Sequence, residues 1–201
     1  MTSVHDSIPM ARSFHRLLVS TNDLERKAFK EWSFRPGMLF SAKDRWWGDG
    51  GARTTPHEGL DIAFFKTATS DMCRLPEGAK VPAIFDGEVV KICRDFLGKS
   101  IFVKHKTIGM GTSHLVTIYG HTEPRCAVEP AAQIAEGDII ATVAAAAAKG
   151  VPVPSHLHIS LAWIPDSLSL QRLGWEDIGN QKGLVLLDPL PVLDLPHSVT
   201  D

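Results

Sequence analysis

The chain has 201 residues with 23 acidic and 21 basic side chains, a formal charge of −2, and 44% hydrophobic residues, enough to bury one proper core and to favour one domain over two. Interspersed charge excludes a basic stripe for nucleic acid and a polybasic run for an anionic membrane, and no apolar run reaches membrane-spanning length. Three widely spaced cysteines, Cys73, Cys93 and Cys126, fit neither a dense disulfide framework nor a CxxC metal knuckle, so buried or incidental thiols are expected, with a single disulfide as the alternative.

Within the first twenty residues no apolar stretch is long enough for a signal-peptide core, and the chain as given reads as soluble and monomeric. From Thr21 to Trp32 the pattern predicts a helix: Asn22 can cap, Glu25 follows three residues later, and Leu24, Ala28 and Phe29 share a face. Arg35-Pro36-Gly37 ends it. Beyond Met38 short β-rich runs recur between Gly, Pro and Asp: LDIAFF, VPAIFDGEVVKIC, KSIFVKH, HLVTIYGH, GDIIATV and HLHISLAW. Asp86-Gly87 and Glu136-Gly137-Asp138 are expected to be tight turns in which glycine takes a positive φ. Ala144–Ala148, followed by Lys149-Gly150 and Pro152, is expected to be a loop. After Trp163 the pattern dissolves, and the prolines of LVLLDPLPVL favour an extended tail packed on the surface. The fold class is therefore mainly β, a compact antiparallel sandwich or barrel-like hybrid with a short N-terminal helical segment. Its expected divisions are a helical arm (1–37), a β domain (38–165) and an extended tail (166–201).

Two constellations carry chemistry. In His57-Glu58-Gly59-Leu60-Asp61 an imidazole and a carboxylate four residues apart share a face, and both are good zinc ligands. In a straight strand their Cα atoms would stand roughly 13 Å apart, so a bend or bulge at Gly59 is expected to help them converge. Glu58 sits beside a histidine as in the helical HExxH motif, but the second histidine of that motif is absent, and an extended backbone turns Glu58 away from His57. In Ser155-His156-Leu157-His158 strand alternation puts both imidazoles on one face, so that one can bind a metal while the other takes a proton beside it. Tyr119-Gly120-His121 ends an apolar strand where a turn would expose His121. Three ligands with an open fourth position is the pattern of a catalytic zinc site, for which amide hydrolysis is the natural reaction.

In this order along a β-rich chain, HEGLDIA, VPAIFDGEVV, GKSIFVKH, TIYGHTE, AEGDIIATV and SHLHISL resemble the lysostaphin-type, or LytM-type, zinc endopeptidases. The resemblance covers about Met38 to Trp163, and DPLPVL is similar to the tail of such domains. It implies that one Zn2+ is held by His57, Asp61 and His158. His121 and His156 would form the catalytic pair, with His156 the favoured general base and His121 stabilising the oxyanion or assisting proton transfer, in roles that could be exchanged. It further implies a groove for an extended peptide, peptidoglycan cross-bridges as substrate, and a periplasmic or extracellular site of action. The sequence departs from the family pattern in the alanine run before HLH and in DRWWGDGGARTTP, which lacks the tyrosine that family members often place ahead of the first zinc histidine. A catalytically silent LytM-type binding module is the competing reading, and a biotinyl- or lipoyl-like hybrid motif, suggested by VPAIFDGEVVKI, a distant third.

The remaining candidates have plainer roles. His105 is expected beside the site or in the core, His114 exposed, and His5, His15 and His197 facing solvent. Trp46 and Trp47 would make a substrate wall or a structural clasp, and Tyr119 would pack.

Overall fold

A computed structural model describes residues 8–146, 153–179 and 183–200. The β-rich runs become strands, and the order of elements is α1 (Arg12–Ser20), β1 (Phe29–Phe34), β2 (Leu60–Ile62), β3 (Phe64–Thr67), β4 (Met72–Arg74), β5 (Lys80–Pro82), β6 (Gly87–Arg94), β7 (Lys99–Met110), β8 (Ser113–Pro124), β9 (Gln133–Ile134), β10 (Ile139–Val143), β11 (Leu157–Pro165), α2 (Trp175–Ile178), β12 (Val185–Leu187), α3 (Pro189–Leu193) and β13 (His197–Val199). Two sheets form, and neither closes on itself.

The larger sheet runs β12-β11-β8-β7-β6-β9, with β2 also paired to β11 and β10 bridging β8 to β5. All of its pairings are antiparallel. One face packs on a core that includes Trp32, Phe65, Val81, Ile101, Tyr119, Ile159 and Trp163. The other face, with Phe102, Val116, Ile118 and Ile164, is covered by Leu170, Leu173 and Ile178. The segment after Trp163 is therefore not only an extended tail: it lids the sheet, and DPLPVL folds as α3. There Pro189 starts a helix whose first orphan amide, Leu190 N–H, donates to Asp188 Oδ1 at 3.0 Å.

The smaller sheet, β13-β1-β3-β4, joins β1 to β13 in parallel and to β3 in antiparallel fashion. Its β1 replaces the second half of the helix expected over Thr21–Trp32. The helix lies earlier, at α1, with Phe14, Leu18 and Val19 buried. Left-handed Asp23 (φ 52°) and Ala28 (φ 53°) bracket a short 3₁₀ turn, after which Trp32 and Phe34 are fully buried. The aromatic contacts of Phe29 and Trp32 with Phe65 outweigh local helix propensity. Asn22 does not cap a following helix. It closes α1 through Leu18 O (2.9 Å) and pins β5 by a reciprocal pair with Lys80.

Gly137 takes the expected positive φ of 87°, but Gly87 does not. No hairpin forms there, because β5 pairs with β10 and β6 with β7. Gly87 is instead required by crowding, since a Cβ would lie 2.6 Å from Val103 Cγ1 and 2.8 Å from Lys104 O. Ala144–Ala146 are without helix as expected, while Ala147 and Ala148 fall outside the described residues, as does His5.

Candidate active site

Asp61 on β2 and His158 on β11 stand directly opposite in an antiparallel register, the arrangement that brings cross-strand side chains together. Leu157 takes the intervening place in the alternation, so His156 and His158 share a face, and both are buried.

His57 comes from the loop before β2, where its backbone is held at both ends: His57 N–H donates to Ala42 O (2.9 Å) and His57 O accepts from Ser41 N–H (2.8 Å). The loop, not a bulge, brings His57 and Asp61 together. Gly59 has no left-handed φ. Its lack of a side chain lets the loop cross β11, because a Cβ would run into the Ile159 carbonyl and lie 2.8 Å from His158 Nε2.

Three donor atoms converge on this point. His57 Nε2 and His158 Nδ1 lie 3.1 and 2.8 Å from Asp61 Oδ1, and 3.2 Å from each other. A tetrahedral ion with ligand bonds of about 2.0–2.1 Å separates its donors by roughly 3.3 Å. The chemistry of the set fits a metal as well. His57 Nδ1–H donates to Leu39 O (2.9 Å), so its Nε2 presents a bare lone pair, and Ser160 Oγ holds the far nitrogen of His158 at 2.8 Å. A donor set this compact can share one cation. Among the described residues, His57, Asp61 and His158 are the group placed to hold a metal ion.

Asp61 is further held by Trp46, whose Nε1–H donates to Oδ2 at 2.6 Å, and by Arg53 Nη2 at 3.8 Å. Burial pushes its carboxyl upward, but in the metal-free fold the imidazoles of His57, His156 and His158 packed around it overcome this and hold it well below the usual carboxylate range. His158 is shifted down by burial, against the opposing effect of Asp61.

His156 Nδ1–H donates to Pro154 O (2.8 Å), which leaves Nε2 facing the triad, 3.5 Å from Asp61 Oδ1. His121 reaches the same cleft by a different route. Opposite Lys99 and Ile101 of β7, strand β8 pairs through Thr122 and Tyr119, so one extra residue bulges out. His121 sits in that bulge with φ 61°, its ring centroid 4.7 Å from that of His156. The expected turn is thus a bulge within a strand that runs on to Pro124. Burial lowers the His121 imidazole to about 4, against a contact with Asp95 that raises it.

The cleft has a volume of about 560 Å³ and is walled by Trp47, Phe96 and Trp175. Trp47 carries the Arg53 guanidinium over its ring at 4.7 Å. Trp46 is buried in the core against Trp47 and Phe64, as the clasp reading expects, and also donates to Asp61. Glu58 accepts from Thr55 Oγ1 (3.1 Å). His105 is buried between Asp86 O and Thr117 Oγ1, His114 pairs with Asp166 away from the cleft, and Tyr119 packs with its hydroxyl accepting Ile84 N–H. His197 is exposed, but His15 is half-buried and accepts Trp32 Nε1–H at 3.2 Å. All three cysteines are free, and Cys93 lines the cleft.

The model of peptidase family M23 matches residues 55–168, more than half of the chain. The chain belongs to peptidase family M23. Its fold is similar to that of LytU, with a TM-score of 0.50 at 21% identity over 81% of this chain and 89% of the other. Lysostaphin matches at 19% identity and a TM-score of 0.47 over 82% of this chain and 54% of that one. The catalytic domain of the prophage-encoded M23 protein EnpA from Enterococcus faecalis matches at 20% identity and a TM-score of 0.39, over 66% of this chain and 76% of the other. No curated protein matches the chain. M23 enzymes are metallopeptidases, typically zinc-dependent, and usually act on cell walls.

Sequence reasoning missed Asp95, Ser100, Arg53 and Trp175. Asp95, Ser100 and Arg53 are ordinary residues of loops or strands, and only Trp175, at the start of α2, carries a visible signal, as an aromatic in a polar stretch. It also lies beyond the span matched by the M23 model.

Proposed function

We propose that this M23 chain is a zinc-dependent endopeptidase that cuts peptide cross-bridges of peptidoglycan, acting outside the cytoplasm. The observation that carries the reading is the convergence of three metal-binding donors at the floor of a cleft with two further imidazoles alongside. His57 Nε2, Asp61 Oδ1 and His158 Nδ1 would hold the ion. When bound there, zinc supplies a Lewis acid that polarises a peptide carbonyl and brings the pKa of water into the neutral range.

The protein's own groups do the rest. His156 spends its Nδ1 proton on Pro154 O and so offers Nε2 as the base that takes a proton from the attacking water. His121, across the cleft, steadies charge on the carbonyl oxygen or returns a proton to the leaving amine. Trp47, Phe96 and Trp175 exclude water and line the path of an extended peptide.

Mass spectrometry of fragments released from several peptidoglycan types tests this reading. Zinc-loaded wild type is expected to release peptides with new termini at one kind of bond, and His156→Ala to keep the metal and release none. A fully loaded wild type that releases nothing overturns the reading in favour of a silent binding module.

A further inference from the structure

Asp95 lies in the turn between β6 and β7, with a side chain only 2% exposed. Its Oδ1 accepts from Leu97 N–H (2.9 Å) and Gly98 N–H (2.6 Å), and its Oδ2 from Ser100 Oγ–H (2.6 Å). Those three bonds would suffice for a carboxylate that merely shapes a turn. Two more contacts reach a different strand. Oδ2 also accepts the backbone N–H of His121 at 2.9 Å, and Oδ1 lies 3.2 Å from His121 Nδ1.

We propose that Asp95 is the positioning residue for His121, fixing both the backbone of the β8 bulge and the orientation of the imidazole, so that Nδ1 carries the proton and Nε2 faces the reaction. The inference rests on the peptidase reading above. The bulge removes the His121 amide from the regular ladder, and the carboxylate takes it up. A carboxylate beside Nδ1 selects the tautomer protonated there, the role a buried aspartate plays for a catalytic histidine on other folds. The Nδ1 contact lies off the line of a good hydrogen bond. Such contacts commonly tighten only when substrate is bound. Trp175 extends the device to the cleft wall, because its Nε1–H donates to Ser100 Oγ at 2.9 Å and Ser100 donates in turn to Asp95. Filling the cleft against Trp175 thus bears on the carboxylate that holds His121.

The test compares zinc-loaded wild type with Asp95→Asn, His121→Ala and the double variant. Asp95→Asn is expected to keep zinc and KM while kcat falls about 10²–10⁴-fold, the range for loss of a positioned acid or base. In the His121→Ala background the same change is expected to cost nothing further, because Asp95 acts through His121. Nitrogen-15 NMR of the imidazoles is expected to show His121 protonated at Nδ1 in the wild type and mixed in Asp95→Asn. An unchanged kcat, an equal further loss in the double variant, or a tautomer indifferent to Asp95 overturns the proposal. Should Asp95→Asn fail to fold, Ser100→Ala carries the test, with kcat expected to fall roughly tenfold at unchanged KM and zinc; an unchanged kcat there overturns it too. A wild type that cleaves no peptidoglycan refutes the peptidase reading separately, and the NMR comparison still decides the positioning claim.

Discussion

On one flank of the cleft, Asp61 and His158 meet because regular antiparallel register sets them opposite each other. On the other, His121 enters because the register fails between Tyr119 and Thr122. The first flank works like a ruler: the pleat sets the spacing between His156 and His158, and neither side chain needs a special backbone. The second stores an uncommon conformation, a histidine at φ 61°, and needs partners to hold it there. Strand alternation alone sets His156 beside His158, whereas His121 is aimed by a backbone irregularity and by the groups that hold it.

Breaking the regular flank is expected to have the largest effect. Asp61→Ala removes the carboxylate shared by both histidines, and metal analysis is expected to find the zinc lost together with all peptidase activity. Gly59→Ala attacks the same flank sterically, and denaturant unfolding is expected to show a loss of about 3 kcal/mol, as the Cβ forces β11 or the loop to shift. Trp46→Phe keeps an aromatic side chain but withdraws the N–H from Asp61 Oδ2. Competition with a chelator is expected to show zinc affinity lowered roughly 10–100-fold.

Acid sharpens the contrast from the other side. Burial holds folded His121 down at about 4, whereas the unfolded chain takes up that proton near pH 6.5. Between those values the unfolded state binds more protons, so metal-free protein is expected to lose stability as pH falls through this window. Asp61 and Asp95, both held low in the fold, add a further loss below the usual carboxylate pKa of about 4. Melting curves across pH check the sign. The smallest effect is expected in the other sheet: Met72→Ser on exposed β4 leaves kcat and zinc content unchanged.

Much of the regular flank was readable because it follows periodic rules. His156 and His158 alternate with Leu157, and HEGLD keeps His57 and Asp61 four residues apart, so both motifs survive in one dimension. Asp95 did not stand out because its partners, Ser100, His121 and Trp175, are gathered by three different elements. Arg53 was hidden for the same reason, and Trp46 was visible but its bond to Asp61 was not. The misplaced helix has another cause: Asn22, Glu25, Leu24 and Ala28 do suit a helix, but burial of Trp32 and Phe34, with Trp32 packed on Phe65, decides the segment in favour of β1.

The parallel pairing of Trp32 with His197 and of Phe34 with Val199 joins strands from opposite parts of the sequence. During synthesis β1 emerges long before β13, and until then one of its edges has no partner. An open edge of that kind invites pairing with another chain, and closing so long a loop is slow. Completion of the smaller sheet therefore waits for β13, and until it docks that edge of β1 stays open.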